Sequence, residues 1–457
     1  MTAAAVFDPR KVDAYATHLA KVNTVKDVIA TEDICNQQGA ILIPKGATIS
    51  AKATEKIIRF KLIRPLHDTV SIDGEIGSNE LYNAIMALIK RTPDLLSLHT
   101  QCNLDAIIKQ RCQFYQKFSV LKQKLTVLSM QMTKTFENAL LSSWLCTLIG
   151  LRMKLSEDDL NALFLAALTH DFGMLHIDPE ILNKKGELSP EEWRQIHAHV
   201  VIGKTILEEI PGLPKATSKA VLEHHERCDG TGYPTQKDGE SLGLLGQIIA
   251  MTDSVIAIYS TRFVKERRSL LEIVPILQVN NEAHFYKTYD TIITILRNSN
   301  LPKSKGLSAE KIPPLIQKFA NDGQFMNAQL ALVSDVIDTL DHDAKNRKLT
   351  ALHNVLGLIN KVVNGSGILG DSYHRWIDQV RDEELEFAYR EIEDSTLMLK
   401  ELQFHLKRLT RMLHLYAKRK DTDNSTQITI MQSLKKLSQL TQASRAQHDS
   451  DEKAYAL

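Results

Sequence analysis

Apolar residues recur at three- and four-residue spacing across most of positions 80 to 300, as in LYNAIMALIKRT, DDLNALFLAALTHD, SPEEWRQIHAHVVIGKTILEEI and LGQIIAMTDSVIAIYSTR. That period is the mark of amphipathic helices. Several of these stretches are apolar on most sides, which places them centrally among other helices. The chain is thereby confined to a mainly α fold. Ser189-Pro190-Glu191-Glu192 reads as a helix start, with Ser as N-cap, Pro at the first position and acids in the first turn. Strand signals concentrate in residues 1–75. There AILIPKGATIS is a β-favouring run turning at Pro44 to Gly46, and SAKATEKIIRF reads as a helix capped by Ser50. A small α+β module is expected over 1–75, with no catalytic chemistry in it.

Residues 301–445 form a further helical region with few glycines. Leu385, Ala388, Ile392, Ser395, Leu399, Leu402, Leu406, Leu409, Leu413 and Tyr416 step by three and four without a break. A stripe like this packs either inside a bundle of its own chain or across a homodimeric coiled coil through 385–416, and the pattern permits both. Beyond KRKDTDNST the sequence turns polar, and residues 446–457 are expected to be a disordered tail.

A length of 457 residues suggests two or three domains. The net charge of +1 offers no global field for DNA, RNA or an acidic membrane, so any phosphate recognition must be local. Five cysteines, odd in number, scattered and without a CxxC pair, read as reduced thiols of a cytoplasmic protein. The first residues lack the apolar core of a signal peptide, and ALLSSWLCTLIGL is too short and too polar to span a bilayer. No membrane span is expected.

Six of the sixteen histidines fall between positions 170 and 225: His170, His176, His197, His199, His224 and His225. A lone histidine is usually a core or surface residue, but histidine is also the commonest metal ligand, and this cluster is dense. His170-Asp171 and His224-His225 are adjacent pairs at helix ends. On one helix neighbours point ~100° apart, whereas at a terminus both can reach one ion, and a carboxylate can bridge two. Asp253 lies in the apolar helix IIAMTDSVIAI, where a buried carboxylate needs a partner. Mixed nitrogen and oxygen donors suit Fe, Mn, Zn or Co better than Mg or Ca. Such ions activate water for attack on phosphoryl groups. The residues alone therefore indicate a metal-dependent hydrolase, plausibly of phosphoesters.

The motifs HDFG, ILNKKGELSPEEW, HVVIG, HHERCDGTGYP and IIAMTDSVIAIYSTR, in that order, resemble the HD-GYP family of cyclic-di-GMP phosphodiesterases. The resemblance implies an all-helical HD-type domain over 80–300 with a site for two or three ions, iron or manganese above all. It also implies hydrolysis of cyclic-di-GMP to the linear dinucleotide or to GMP. Position by position, His170, Asp171, His199, His224, His225 and Asp253 resemble the metal ligands, with Asp171 the catalytic bridging carboxylate. Arg262 and Lys265 resemble the family's basic contacts to substrate phosphates. Asp229, Gly230, Gly232, Tyr233 and Pro234 form the GYP loop, through which diguanylate cyclase-type proteins are candidate partners. His176 and His197 match no family ligand and read as surface or supporting residues.

Two departures stand out. A further histidine ligand is expected near position 134, which is Lys134, and the HDxGK lysine is replaced by Met174. His199, His224, His225 and Asp171 suffice to hold one ion. The other position keeps His170, Asp171 and Asp253, and Lys134 would repel an ion there if it pointed inward. The resemblance thus leaves two outcomes: a phosphodiesterase with a weakened site, or an impaired module that serves as receptor or scaffold.

Overall fold

The computed structural model describes residues 7–237, 239–301, 307–340, 346–419 and 422–455. The chain divides into two compact units. The first comprises Met1–Arg227, Gly232–Leu270 and His284–Pro302, and the second Cys228–Thr231, Leu271–Ala283 and Lys303–Leu457. The N-terminal module and the histidine-bearing helices, expected as separate domains, thus fall in one unit.

In the first unit the N-terminal part opens with the helix Ala14–Val22, whose N-cap Asp13 accepts from Tyr15 N. Two antiparallel ribbons follow. Val28–Ala30 pairs with Val70–Ile72, Val28 opposite Ile72, while Ile34–Cys35 pairs with Ile41–Ile43. The helix Ala51–Ile57 starts at Ser50, whose hydroxyl accepts from Ala53 N at 3.2 Å. Buried side chains tie this part to the helix Ser119–Gln131. Tyr15 Oη donates to Gln123 Oε1 at 2.7 Å, and Gln123 Nε2 donates to the carbonyls of His67 and Val70 at 3.1 and 2.7 Å. A polar side chain with three such partners is well satisfied, so its burial carries little penalty.

The centre of this unit is the helix Thr133–Arg152, buried continuously from Ala139 to Gly150. It packs against Glu157–Thr169, whose buried run Ala162–Leu168 is apolar all round, as expected of a central helix. The capping box at Ser189 forms, its hydroxyl accepting from Glu192 N at 3.2 Å and Glu192 accepting from Ser189 N at 2.6 Å. The segment Leu244–Glu266 is long and apolar enough to cross a membrane, although the sequence leads to the expectation of no span. More than half of it is buried, and it carries Asp253, so here it acts as a core helix. All five cysteines are free thiols.

The second unit is helical: Ile312–Asp338, Arg347–Ser366, Asp371–Asp382, Tyr389–Ala417 and Asn424–Tyr455. Its core contains Ile392, Leu399, Leu402, Leu406, Leu409 and Leu413, packed with Phe319, Met326 and Val333 from the first of these helices and Leu352, Val355 and Ile359 from the second. The three-four stripe therefore closes on its own chain. Leu402 and Leu409 are fully buried there, so these stripe leucines do not form the face of a homodimer through 385–416. The lone polar member of the stripe, Ser395, accepts a hydrogen bond from Tyr373 Oη. The closing helix continues to Tyr455, where a disordered tail was expected from 446. Gln, Ala, Arg, Glu and Lys in that stretch are good helix formers despite their polarity. Within this unit Asn354 Nδ2 donates to the Asp229 carbonyl at 2.8 Å, and Arg408 donates to Thr231.

Candidate metal centre

Helix ends converge on one point. Glu157–Thr169 ends at His170, and Asp171 caps the short turn Phe172–His176. His199 opens the helix His199–Glu208, and Lys215–Glu223 ends at His224, with His225 next. Asp253 projects from Leu244–Ile258. Gly173 is what allows the turn Phe172–His176 and the helix His199–Glu208 to meet. A Cβ there would lie 2.0 Å from the His199 carbonyl oxygen, so this glycine does more than end a helix.

The ligand atoms of Asp171, His199, His224 and His225 all lie within 4.8 Å of one another. His170 Nε2 is 3.4 Å from Asp171 Oδ2 and 3.8 Å from Asp253 Oδ1. On the other side, His199 Nε2 is 3.4 Å from Asp171 Oδ1 and 3.4 Å from His224 Nε2. Asp171 therefore turns one oxygen to each side, the arrangement of a carboxylate able to bridge. Each of three rings is anchored by its outer nitrogen. Nδ1 of His170, His199 and His224 faces the carbonyl three residues earlier, at 2.8, 2.8 and 2.6 Å. With Nδ1–H donating outward, each Nε2 is left to the centre, which is how metal-binding histidines are usually oriented.

The electrostatics agree with that geometry. Burial opposes charge on His170, yet Asp171 and Asp253 outweigh it and raise its pKa to about 9. Burial pushes Asp253 up to about 6, with the Asp171 charge adding to it. Asp171, despite burial, is held well below the usual carboxylate range by His170, His199 and His224. Burial, then mutual repulsion, depresses His224 and His225 well below the ordinary imidazole value. His170 Nε2 is buried without a partner in hydrogen-bonding geometry, a costly state that a cation between it and the carboxylates would relieve. The donor set fits a divalent transition metal, which Asp171, His199, His224 and His225 could hold, while His170, Asp171 and Asp253 would face a second position.

Lys134 is exposed on the first turn of Thr133–Arg152, so it supplies neither a ligand nor an intruding charge. Met174 packs beside Ile177, Ile202 and Ile206. Arg262 lies on a π-helical turn, Tyr259–Phe263, and pairs with Glu266 at 3.2 Å, while Lys265 is exposed. Neither belongs to the metal cluster.

In the GYP loop, Tyr233 N donates to the His225 carbonyl at 3.0 Å, and a Cβ on Gly232 would lie 2.4 Å from that same oxygen. Gly230 has φ +71, where side chains are disfavoured. Asp229 Oδ1 accepts from Thr231 N at 2.9 Å, an Asx turn. Pro234 follows Tyr233 and is exposed. Sequence reasoning missed Glu226. It is fully buried and accepts from Thr235 N and Oγ1, both at 2.6 Å, closing the loop's far end. It also placed two histidines too vaguely. His197 stacks on Tyr233, and the side chain of His176 is buried between Asp13 and Lys124.

Residues 115–288 match the HD domain family. The 3'3'-cGAMP-specific phosphodiesterase 1 of Vibrio cholerae is 32% identical over 144 residues, which cover 32% of this chain and 33% of that protein. A probable cyclic di-GMP phosphodiesterase from the same organism is 32% identical over 152 residues, 32% of this chain and 34% of that one. The cyclic di-GMP phosphodiesterase of Thermotoga maritima is 35% identical over 130 residues, 28% and 35% of the two chains. The chain thus spans about a third of the length of these relatives.

Proposed function

The HD domain of this chain belongs to the HD-GYP family, and from that premise we propose that the protein is a metal-dependent phosphodiesterase of cyclic dinucleotides, with cyclic di-GMP its substrate. The observation that carries this reading is the set of inward-facing Nε2 atoms of His170, His199 and His224 around the two oxygens of Asp171. A bound iron or manganese ion would supply Lewis-acid polarisation of a phosphoryl oxygen and activation of water. The residues' own part is to hold and orient. Asp171 would link the two metal positions, while Asp253 and His170 would complete the second. Arg262 would exchange Glu266 for a substrate phosphate, a bidentate role its guanidinium suits, with Lys265 beside it. The protein would act in the cytoplasm, and diguanylate cyclase-type proteins are its candidate partners through the GYP loop.

The test is hydrolysis by the purified protein of cyclic di-GMP and of 3'3'-cGAMP, with Mn or Fe(II), products resolved by chromatography. We expect metal in the protein by elemental analysis and turnover that Asp171→Asn abolishes. Protein free of metal and inert in excess Mn overturns the enzyme reading. The second reading, a nucleotide receptor or scaffold, is favoured by the second metal position, to which the helix Thr133–Arg152 contributes no histidine. Nucleotide binding without hydrolysis would establish it.

A further inference from the structure

His225 differs from the other clustered histidines. Nδ1 of His170, His199 and His224 is fixed by a backbone carbonyl of the preceding turn, whereas among the described residues His225 has no such bond. What confines its ring is stacking. Tyr233 lies over it at 4.7 Å between centroids and 29° between planes. His197 lies on Tyr233 at 3.9 Å and 12°, and Trp193 touches His197 at 5.5 Å. On the inner side the His225 ring meets His224 at 4.0 Å. The column thus runs from a partly exposed tryptophan to the metal centre. His197 is its keystone, since it comes from the helix Pro190–His197, fixed by the capping box at Ser189, and not from the loop.

We infer that His197 is a positioning residue: by stacking on Tyr233 it holds that ring against His225 and so sets the orientation of a metal ligand that no hydrogen bond orients. This rests on the metal-centre reading above. Stacked ring pairs have a defined geometry, and an imidazole free to rotate about its side-chain bonds must be ordered when it ligates. That ordering weakens binding. Partners that orient a ligating histidine typically contribute ten- to a hundredfold in metal affinity, and here stacking takes the place of the usual hydrogen bond. His197 is not itself a ligand, because it lies outside the group of converging ligand atoms.

The test has a metal-free arm and a metal arm. In the metal-free protein the ring protons of His225 sit over Tyr233 and should carry a ring-current shift in histidine-selective NMR spectra, assigned with Tyr233→Leu. His197→Ala should reduce that shift, and His197→Phe, which keeps a flat ring but no ring nitrogen, should restore it. In titrations with Co(II), His197→Ala should bind roughly tenfold more weakly with altered ligand-field bands, and His197→Phe should recover both. If the alanine variant does not fold, His197→Leu replaces it. An unchanged His225 shift in His197→Ala overturns the proposal. So does a lost shift with unchanged Co(II) affinity. Natural protein that binds no Co(II) overturns the metal-centre reading instead, and the proton shifts then still decide whether His197 holds the stack.

Discussion

At Gly173 a single absent methyl group decides whether the centre can assemble, because the His199 carbonyl oxygen would lie 2.0 Å from a Cβ there. The obstacle is backbone, so no rotamer change relieves it. Gly173→Ala should destabilise the fold by about 3 kcal/mol and lower metal content by displacing His199, read by urea melts and elemental analysis. A variant with natural stability and metal would show that the two segments part easily. The charges at the site give a second expectation. His170, raised to about 9, keeps its proton at neutral pH without metal, and a metal must displace it. That proton's contribution to metal-free stability is complete below the unfolded value of 6.5 and is lost as pH rises through about 9. Metal affinity should therefore climb over the same window. Calorimetry at pH 7.5 in buffers of different ionisation enthalpy should show release of about one proton by the ion that enters the position of His170, Asp171 and Asp253, and none released would contradict the assignment. These residues were legible because ligating chemistry needs particular side chains at helix ends, and the histidine and aspartate pairs announce themselves locally. Glu226 was not, since a glutamate that closes a loop through Thr235 looks in sequence like any surface acid.

Between elements, the junction of the N-terminal module with the helix Ser119–Gln131 holds a fully buried lysine. Lys124 Nζ is 3.0 Å from His176 Nε2, and His176 Nδ1 is 2.7 Å from Asp13 Oδ2. Donation by Lys124 to Nε2 and by Nδ1–H to Asp13 makes a continuous chain from one element to the next. Burial brings Lys124 down to about 7, with Asp13 and Asp68 opposing it. Since the folded value lies below the unfolded 10.5, the penalty is complete below pH 7. It is relieved as pH rises toward 10.5, where the unfolded chain still binds a proton that the folded one does not. At about 1.4 kcal/mol per unit, the penalty is on the order of 5 kcal/mol. Denaturant melts at pH 7 and 9.5 should show the natural protein gaining stability. Lys124→Met should be more stable at pH 7 and gain less on raising the pH. A natural protein with no gain would mean that the lysine is hydrated. Nothing in the sequence exposed this chain, because its members are 52 and 163 positions apart and none sits in a motif. Helices and caps, in contrast, are set by neighbours a turn away, which is why those at Ser50 and Ser189 were readable.

For the whole molecule, the three-four stripe between Leu385 and Tyr416 shows where local pattern stops informing. Apolar periodicity says that a helix face is buried, and burial beneath a neighbouring helix of the same chain has the same period as burial beneath a second copy. The structure chooses the former, with Leu402 and Leu409 fully buried among residues of Ile312–Asp338, Arg347–Ser366 and Asn424–Tyr455. Replacing both leucines with aspartate would place two carboxylates inside this apolar cluster. Ionised, each costs several kcal/mol after relaxation, and protonated, each still loses a leucine's burial of roughly 1.5 to 3 kcal/mol. The sum exceeds what one helical unit usually has in reserve. Leu402→Asp/Leu409→Asp should therefore melt residues 303–457, seen as lost helical circular dichroism and new tryptic cleavage in that span. Light scattering on the still-soluble fraction should show no halving of particle mass. A folded double variant of half the natural mass would place the stripe between two chains and contradict the packing of these helices.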